Sequence, residues 1–321
     1  MKPVQSVSLQ LIDLSDDTFS INYLPDLQRL RSSIEEIGLI QPVLLRGKSD
    51  QYQIVCGFRR VTVMKELGKP EIEARVFEEK EKDEFYLFSL SLQENLATRG
   101  LNSVEKAIAL YKLIHRFKID PGKVVNAFLP LLLLEPNEKI LNTFLSLAQM
   151  EDEIKTYVLK EEVSRFNIRK LAALDPDDRK AVLSLISPLK LGENRLREVL
   201  TFLEEISRRN QCTVREIVKQ PKIQAILSQK ELTPSQKTER VKKVLMTLRH
   251  PKMHQLEEEF EKRRKSLNLP SNISFHHQPF FEGRGLKVEF QFETREEYKA
   301  ILSTLSQLVD KEEFKELIQS V

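Results

Sequence analysis

The stretch that decides the fold of the first part of this chain is Tyr52-Gln53-Ile54-Val55-Cys56-Gly57-Phe58-Arg59-Arg60. Residues 52–56 predict a strand that Gly57 ends, and residues 59–67 predict a helix that Gly68 closes. A helix start presents unsatisfied N–H groups and a partial positive charge, and arginine adds planar donors that match phosphate oxygens. The junction therefore fits a phosphate site, although a charged surface explains the same residues when they are taken alone.

A second informative stretch is Glu94-Asn95-Leu96-Ala97-Thr98-Arg99-Gly100-Leu101-Asn102-Ser103. Asn102, followed three residues later by Glu105, has the form of a capping box and predicts a helix over residues 103–117. Glu94 and Asn95 offer a carboxylate beside an amide oxygen, and Mg²⁺ prefers such oxygen ligands. Capping explains a Glu-Asn pair equally well in isolation. Together, the two stretches predict a nucleotide site.

Hydrophobic spacing around these stretches predicts a small α/β domain. Four apolar residues before Gly38 fall at helical spacing, namely Leu27, Leu30, Ile34 and Ile37. A further helix is predicted over residues 82–97, closing the same domain. Alternation and apolar runs predict four strands, over residues 7–12, 43–45, 52–56 and 72–77.

The composition limits the class of protein. The 321 residues are 40% hydrophobic and 31% charged, which is typical of a helix-rich globular protein with two or three domains. No apolar run approaches the roughly 20 residues that a membrane span needs, and the chain starts without a signal-peptide core. Cys56 and Cys212 provide neither a disulfide framework nor a metal-ligand spacing. We therefore expect a cytoplasmic protein with no membrane partner.

Beyond residue 102 the pattern is helical almost throughout, and strands return only near the end of the chain. We divide the chain into a nucleotide-binding domain, a helical domain, a basic helical segment and a small α/β unit, over residues 1–102, 103–190, 191–270 and 271–321. Their net charges are −3, +2, +7 and −3. The charge of +7 fits a nucleic-acid footprint or a solvated helical face.

The last unit has two predicted strands, over residues 273–281 and 286–292, and two predicted helices, over 294–308 and 311–319. An exposed strand edge could let this unit dimerise, and an ordinary capping subdomain fits the same pattern equally well. Five phenylalanines are expected to build its core: Phe275, Phe280, Phe281, Phe290 and Phe292.

The order of the N-terminal boxes resembles the N-terminal domain of the ParB partition-protein family. About 100 residues are covered, through residues 30–43, 52–60 and 94–107, and a weaker resemblance extends over 147–174. The resemblance implies an α+β fold with a ParB/sulfiredoxin-like α/β domain, an all-helical middle and a small C-terminal α/β unit.

The same resemblance implies a function. It implies a domain that binds CTP with Mg²⁺, whose nucleotide switches a homodimer into a clamp around DNA, in plasmid or chromosome partition or related regulation. Gly57, Arg59 and Arg60 would hold the triphosphate, with Gln41 and Pro42 close to the nucleotide. Asn95 and Glu94 would lie at the Mg²⁺ end, with Glu94 nearer to any hydrolytic chemistry.

Two positions depart from the family pattern at this site. Phe58 stands where the family usually has glutamate, and Thr98 stands where it usually has arginine, with an arginine displaced to Arg99. We therefore expect at most a slow CTPase. The basic N-terminal peptide that engages a ParA-type ATPase in the family is not seen here, and such an ATPase is retained as a further candidate partner.

Two regions could contact DNA. Residues 122–134 and 138–149, joined through Glu135-Pro136-Asn137, could form a degenerate helix-turn-helix, or a packed helical hairpin. Its second helix would present Lys139, Asn142 and Thr143. The basic segment would add phosphate contacts, and Lys242 and Lys243 are its candidate DNA-binding residues.

Two other functions fit the residues. The first is a small-molecule kinase or another phosphotransfer enzyme on the same fold, with Glu94 as its base; the second is a DNA-binding scaffold that has lost its nucleotide. Sulfiredoxins, which share this fold, place a reactive cysteine directly after the glycine, where this chain has Phe58. Cys56 lies before the glycine and is expected to be a buried structural thiol.

Overall fold

The structure is a computed structural model, and it describes residues 2–278, 283 and 285–319. The chain forms two compact units, Met1–Leu183 and Ser184–Val321. The four-segment division made from the sequence stays a prediction. Among the described residues, no helix is both long and apolar enough to cross a membrane.

The first unit begins with a five-stranded sheet of order β1-β5-β3-β4-β2. β3 is parallel to β5 and antiparallel to β4, while β1 lies antiparallel on β5 and β2 lies parallel to β4. The strands are β1 (Val4–Ser8), β2 (Ile12–Asp13), β3 (Val43–Lys48), β4 (Gln51–Cys56) and β5 (Glu71–Phe77).

The single strand predicted over residues 7–12 is wrong. A 3₁₀ turn over Leu9–Leu11 separates β1 from β2, and the Leu9 amide donates to the carbonyl oxygen of Pro70 at 3.0 Å. The turn breaks the alternation, so that Ile12 enters the core while Leu11 is 43% exposed. Alternation alone could not reveal this, because both residues are apolar.

Three helices complete this domain: α1 (Gln28–Ile37), α2 (Phe58–Glu66) and α3 (Glu84–Thr98). α1 packs on α2, and α3 packs against β4. The core between sheet and helices includes Val43, Leu45, Ile54, Val61 and Ile72, each at most 1% exposed. The predicted helices and the remaining strands of this domain are therefore confirmed, with small shifts at their ends.

The rest of the first unit is helical. The predicted capping box is confirmed: the Asn102 side chain accepts from the Glu105 amide, and the Glu105 carboxylate accepts from the Asn102 amide. The helical segments are α4 (Ser103–Tyr111), a π-helical turn (Lys112–Arg116), α5 (Pro121–Lys123), a second π-helical turn (Val124–Phe128), α6 (Leu129–Leu131), α7 (Glu138–Gln149), α8 (Asp152–Lys160), α9 (Arg165–Ala172) and α10 (Pro176–Ile186).

Side chains tie this helical part to the sheet domain. Lys112 donates to the carbonyl oxygen of Ser20 at 2.9 Å, and Arg116 donates to the Thr18 hydroxyl at 2.6 Å. Tyr23 donates to the carbonyl oxygen of Asp152 at 2.9 Å. α4 and α9 both pack against α7. The helical middle is thus part of the same compact unit as the sheet.

The second unit contains two long basic helices, α11 and α14, which agree with helices that the sequence pattern predicts over about residues 192–209 and 234–249. Its elements are α11 (Glu193–Asn210), α12 (Val214–Val218), α13 (Pro221–Ser228), α14 (Pro234–Arg249), α15 (Pro251–Ser266), β6 (Ile273–His277), β7 (Leu286–Phe290), α16 (Arg295–Leu308) and α17 (Glu312–Gln319). β6 and β7 form an antiparallel hairpin.

The core around this hairpin uses residues from before position 271. Phe260 of α15 and Leu267, which directly follows α15, are buried in it together with Phe275 of β6, and Phe290 packs against it. Phe292 is 51% exposed, so its prediction as a core residue is wrong, because it lies beyond the end of β7. Phe280 and Phe281 lie outside the described residues.

Candidate functional site

Gly57 forms the junction between β4 and α2. It is the residue that caps the start of α2, with φ of 99° in the left-handed region, where a side chain is strained. A Cβ atom at this position would lie 2.6 Å from Cγ1 of Val43. The backbone turn therefore requires glycine here, for its φ angle and for its close approach to β3.

Arg60 brings together three of the predicted site residues. Its guanidinium donates to the carbonyl oxygens of Gln41 at 3.0 Å and Pro42 at 3.2 Å, and to Oε1 of Glu94 at 2.7 Å. Its side chain is only 15% exposed. The Arg60 guanidinium thus connects the start of α2 to the loop before β3 and to the last turns of α3.

Arg59 and Arg99 share a second set of acceptors. Arg59 donates to Oδ1 of Asn22 at 2.9 Å and to Oε1 of Glu105 at 3.0 Å. Arg99 donates to the other Glu105 oxygen at 2.7 Å and to the same Asn22 oxygen at 3.3 Å. The Glu105 side chain is 1% exposed, so a buried carboxylate at the first turn of α4 holds both arginines.

Sequence reasoning missed the roles of Asn22 and Glu105. Glu105 was recognised as a capping residue, which it is, and the same carboxylate also pairs with the two arginines. Asn22 lies in a loop outside the boxes that carry the resemblance, so no pattern marked it. The sequence marks Arg99 only as an arginine one position beyond its usual place in the family pattern.

The amide of Asn95 has a fixed orientation. Its Nδ2 donates to the carbonyl oxygen of Ser91 at 2.8 Å, and its Oδ1 accepts from Nε of Arg99 at 2.8 Å. A backbone carbonyl can only accept and an arginine Nε can only donate, so exchanging the two amide atoms would break both bonds. The oxygen predicted to be a Mg²⁺ ligand is therefore engaged by Arg99.

These residues line an open cleft of about 220 Å³. Its lining has three guanidiniums and one carboxylate, with the buried Glu105 behind them, so the set carries a net charge of +1. Leu30 and Phe58 add apolar surface. The remaining lining residues are Asn22, Gln41, Gly57, Asn95 and Thr98, with Arg59, Arg60, Arg99 and Glu94 as the charged ones.

The electrostatics of the cleft favour an anion. Burial, and then the neighbouring Arg99, lower the pKa of Arg59 from its ordinary value, while Glu105 acts in the opposite direction. Two guanidiniums held this close repel each other. Glu105 offsets part of that repulsion from behind the cleft, and an anionic group in the cleft would offset more of it and accept their remaining planar donors.

Cys56 has no role as a nucleophile in this geometry. The thiol is 1% exposed. Burial, and to a lesser extent the nearby Glu94, raises its pKa to about 12. The thiolate is therefore absent at neutral pH, and the prediction of a buried structural thiol is confirmed.

The three residues of α7 that are predicted to contact DNA differ in their exposure to solvent. Lys139 and Asn142 are exposed on the helix surface. Thr143 is 8% exposed and its hydroxyl donates to the carbonyl oxygen of Lys139 at 2.8 Å. The expectation that Thr143 touches bases is thus wrong, because one residue of helical rotation carries it to the packed face.

The helix predicted over residues 122–134 also needs correction. It starts at Pro121 and its helical part ends at Leu131, because Leu133 has a φ of 57°, which an α-helix cannot contain. Six residues then precede Glu138, the first residue of α7. This connection is longer than the three to four residues of a helix-turn-helix turn.

Lys242 and Lys243 both lie on α14 of the second unit, and they differ in exposure and in ion pairing. Lys242 pairs with Glu198 at 3.0 Å and is partly buried. Lys243 is exposed, and it forms no ion pair within the part of the chain that the structure describes. Many cations of this basic segment are paired in the same way as Lys242, including Arg195 and Arg249.

One basic surface escaped the sequence analysis. α9 carries Arg165, Arg169 and Lys170 around Phe166, which is 38% exposed. The Arg169 guanidinium lies 5.4 Å from the centre of the Phe166 ring and the Lys170 ammonium lies 5.6 Å from it. A basic helix face with an aromatic ring is typical of nucleic-acid contacts, and the run Arg165-Phe166-Asn167-Ile168-Arg169-Lys170 could have revealed it.

Comparison with known proteins identifies the N-terminal domain. Residues 5–96 match the model of the ParB N-terminal domain. The probable chromosome-partitioning protein ParB of Campylobacter jejuni is 29% identical over 191 residues, which are 59% of this chain and 66% of that protein. A nucleoid occlusion protein of Halalkalibacterium halodurans is 26% identical over 54% of this chain and 60% of its own length.

Among solved structures, the C-terminally truncated ParB of Caulobacter crescentus, complexed with CTP-gamma-S, is similar at 22% identity with a TM-score of 0.27. The match covers 56% of this chain and 97% of that one. The chain spans less than two thirds of the length of the curated relatives described above. The mixed α+β fold and the resemblance drawn from residues 30–107 are confirmed, and the chain carries a ParB N-terminal domain over residues 5–96.

Proposed function

We propose that this chain is a nucleotide-gated DNA-binding protein of the ParB type, whose cleft beside Gly57 binds the phosphates of CTP. The observation that carries the proposal is the convergence of Arg59, Arg60 and Arg99 on one cleft at the start of α2. Guanidiniums fixed by buried acceptors are preorganised donors for phosphate oxygens. The choice of CTP rests on the resemblance of the N-terminal domain.

The cleft supports binding more than chemistry. Glu94 is the one carboxylate that lines it, and its Oε1 is held by Arg60 at 2.7 Å. A base in an ion pair of this kind is poorly suited to take a proton from water or from a substrate hydroxyl. Hydrolysis, where it occurs, is therefore slow, and the reading as a phosphotransfer enzyme loses support.

A physical route connects the cleft to the DNA-facing helix. Arg59 and Arg99 hold Glu105 in the first turn of α4, and α4 packs on α7, which exposes Lys139 and Asn142. Phosphates bound beside the arginines would compete with Glu105 for their positive charge and so weaken their hold on Glu105. Differential affinity of the nucleotide for two positions of α4 is all that gating requires.

The DNA surface in this proposal comprises α7 and α9 in the first unit. Asn142 would approach bases, while Lys139, Arg165 and Arg169 would contact phosphates. Lys243, in the second unit, would contact phosphates separately from this surface. Action as a homodimeric clamp in plasmid or chromosome partition or related regulation, and recruitment of a ParA-type ATPase, complete the proposal and come from the family resemblance.

Calorimetry tests the proposal directly. The full chain is titrated with CTP, ATP, GTP and UTP, and then with DNA in the presence and absence of the best nucleotide. We expect CTP to bind most tightly and to change the affinity for DNA. Negligible affinity for all four nucleotides with intact DNA binding would favour the alternative, a DNA-binding scaffold that has lost its nucleotide.

A further inference from the structure

The Mg²⁺ implied by the resemblance does not fit the cleft as this chain builds it. The Asn95 carbonyl oxygen accepts from Arg99 at 2.8 Å, and Oε1 of Glu94 accepts from Arg60 at 2.7 Å. Within the described ranges, no group of three or more His, Cys, Asp or Glu side chains is arranged for a metal ion. Two of the oxygen atoms that the cation would need, Asn95 Oδ1 and Glu94 Oε1, are thus bound to guanidiniums.

Arg99 is held in place by four acceptors. It donates to Oδ1 of Asn95, the carbonyl oxygen of Gly100, Oε2 of Glu105 and Oδ1 of Asn22, at 2.8, 3.1, 2.7 and 3.3 Å. About a fifth of its side chain, 21%, remains exposed, and it lines the cleft beside Arg59. A guanidinium fixed in this way keeps one N–H of Nη2, together with its positive charge, for a phosphate, and it needs little reordering to receive one.

We propose that Arg99 replaces the divalent cation, so that this chain binds metal-free nucleoside triphosphate. The inference rests on the proposed nucleotide site. A metal-free triphosphate carries two more negative charges than its Mg²⁺ complex. The three arginines of the cleft exceed its carboxylates in number, and they supply charge and directed donors where the cation would otherwise supply charge alone.

The shift of the arginine from position 98, where the family usually has it, to position 99 has a physical consequence in this proposal. Thr98 donates its hydroxyl to the carbonyl oxygen of Glu94 at 2.8 Å and so stays on the helix backbone. The arginine one residue later follows the end of α3 and points back onto Asn95, four residues earlier. Displacing the arginine by one position therefore sets it on the atom that a metal would use.

Calorimetric titration of the full chain with CTP, in excess EDTA and in excess Mg²⁺, tests this inference. For the natural sequence we expect an affinity in EDTA that equals or exceeds the affinity in Mg²⁺. R99Q should bind about 10–100-fold more weakly in EDTA, and Mg²⁺ should recover part of the loss because Asn95 Oδ1 is released. K69A removes one exposed positive charge away from the cleft and should change neither value.

A second variant guards against loss of the fold. R99K keeps the charge without the planar fork, and it should stay within about tenfold of the natural sequence in EDTA. Circular dichroism verifies that each variant is folded. Binding by the natural sequence that weakens tenfold or more in EDTA, with R99Q equal to it, would overturn the role of Arg99 while the nucleotide site stands. Absence of nucleotide binding in both buffers would overturn both proposals.

Discussion

Glu105 should contribute more to the stability of the first unit than any exposed carboxylate, and Glu105→Gln tests this. The side chain is 1% exposed, and its two oxygens accept from Arg59 at 3.0 Å and Arg99 at 2.7 Å. The substitution keeps the shape and one acceptor but removes the charge. Two partly buried guanidiniums then face each other without the anion between them.

The magnitude follows from the burial of the three side chains. Breaking a fully buried ion pair from one side costs about 3–5 kcal/mol. Arg59 and Arg99 are 25% and 21% exposed, so water can solvate part of each released charge. We therefore expect a loss of about 2–4 kcal/mol in the free energy of unfolding, which a domain of ordinary stability survives.

Urea unfolding followed by circular dichroism measures this loss. Glu35→Gln is the matched control, because Glu35 is 51% exposed and pairs with Arg31 at 3.3 Å within one helix, an interaction worth about 0.5 kcal/mol or less. A double-mutant cycle with R99Q should give a coupling above about 1 kcal/mol. Equal stability of Glu105→Gln and Glu35→Gln, with no coupling to Arg99, would refute the reasoning.

Three further predictions concern the cleft, the DNA surface and acid stability. Arg60→Ala should weaken CTP binding by about 1.5–3 kcal/mol in calorimetry, because a charge-assisted bond is lost; unchanged affinity would remove Arg60 from the site. Lys243→Ala should weaken binding to all DNA sequences about equally and lower the salt slope by about one in fluorescence anisotropy, whereas Asn142→Ala should change sequence preference; the reverse pattern would exclude α7 from the base contacts. Burial raises the pKa of Asp16, but hydrogen bonds from Lys48, Thr18 and Gln53 outweigh it and leave the pKa below its ordinary value. The stabilisation by the Asp16 carboxylate is therefore complete above its unfolded pKa of about 3.9 and is lost as the pH falls toward its native pKa. In urea unfolding measured over a pH series, Asp16→Asn should make the free energy of unfolding fall less steeply at acid pH. The same acid dependence for both proteins would contradict this.

Local signals in the sequence were sufficient for most elements. Gly38 and Gly68 ended helices as expected, the capping box at Asn102 began α4, and the sequence pattern located most strands of the sheet and two of the three long helices of the basic segment, α11 and α14. These features depend on residues close to one another along the chain. Failures occurred where local rules allow two outcomes, as at Leu11 and Ile12 or at Leu133.

What the sequence by itself determined is therefore the order of the elements, the glycine junction before α2 and the grouping of Arg59, Arg60 and Glu94, which the structure brings together in one cleft. Only the tertiary structure decided that Asn22 and Arg99 line the same cleft and that the buried Glu105 lies behind it. The physical reason is that Asn22 meets Arg59 and Arg99 across 37 and 77 residues, and Arg59 meets Glu105 across 46 residues. A side chain's burial and partners depend on what packs against it. The pairing of Glu105 with two arginines, and of Asn95 with a guanidinium, is a property of the folded chain.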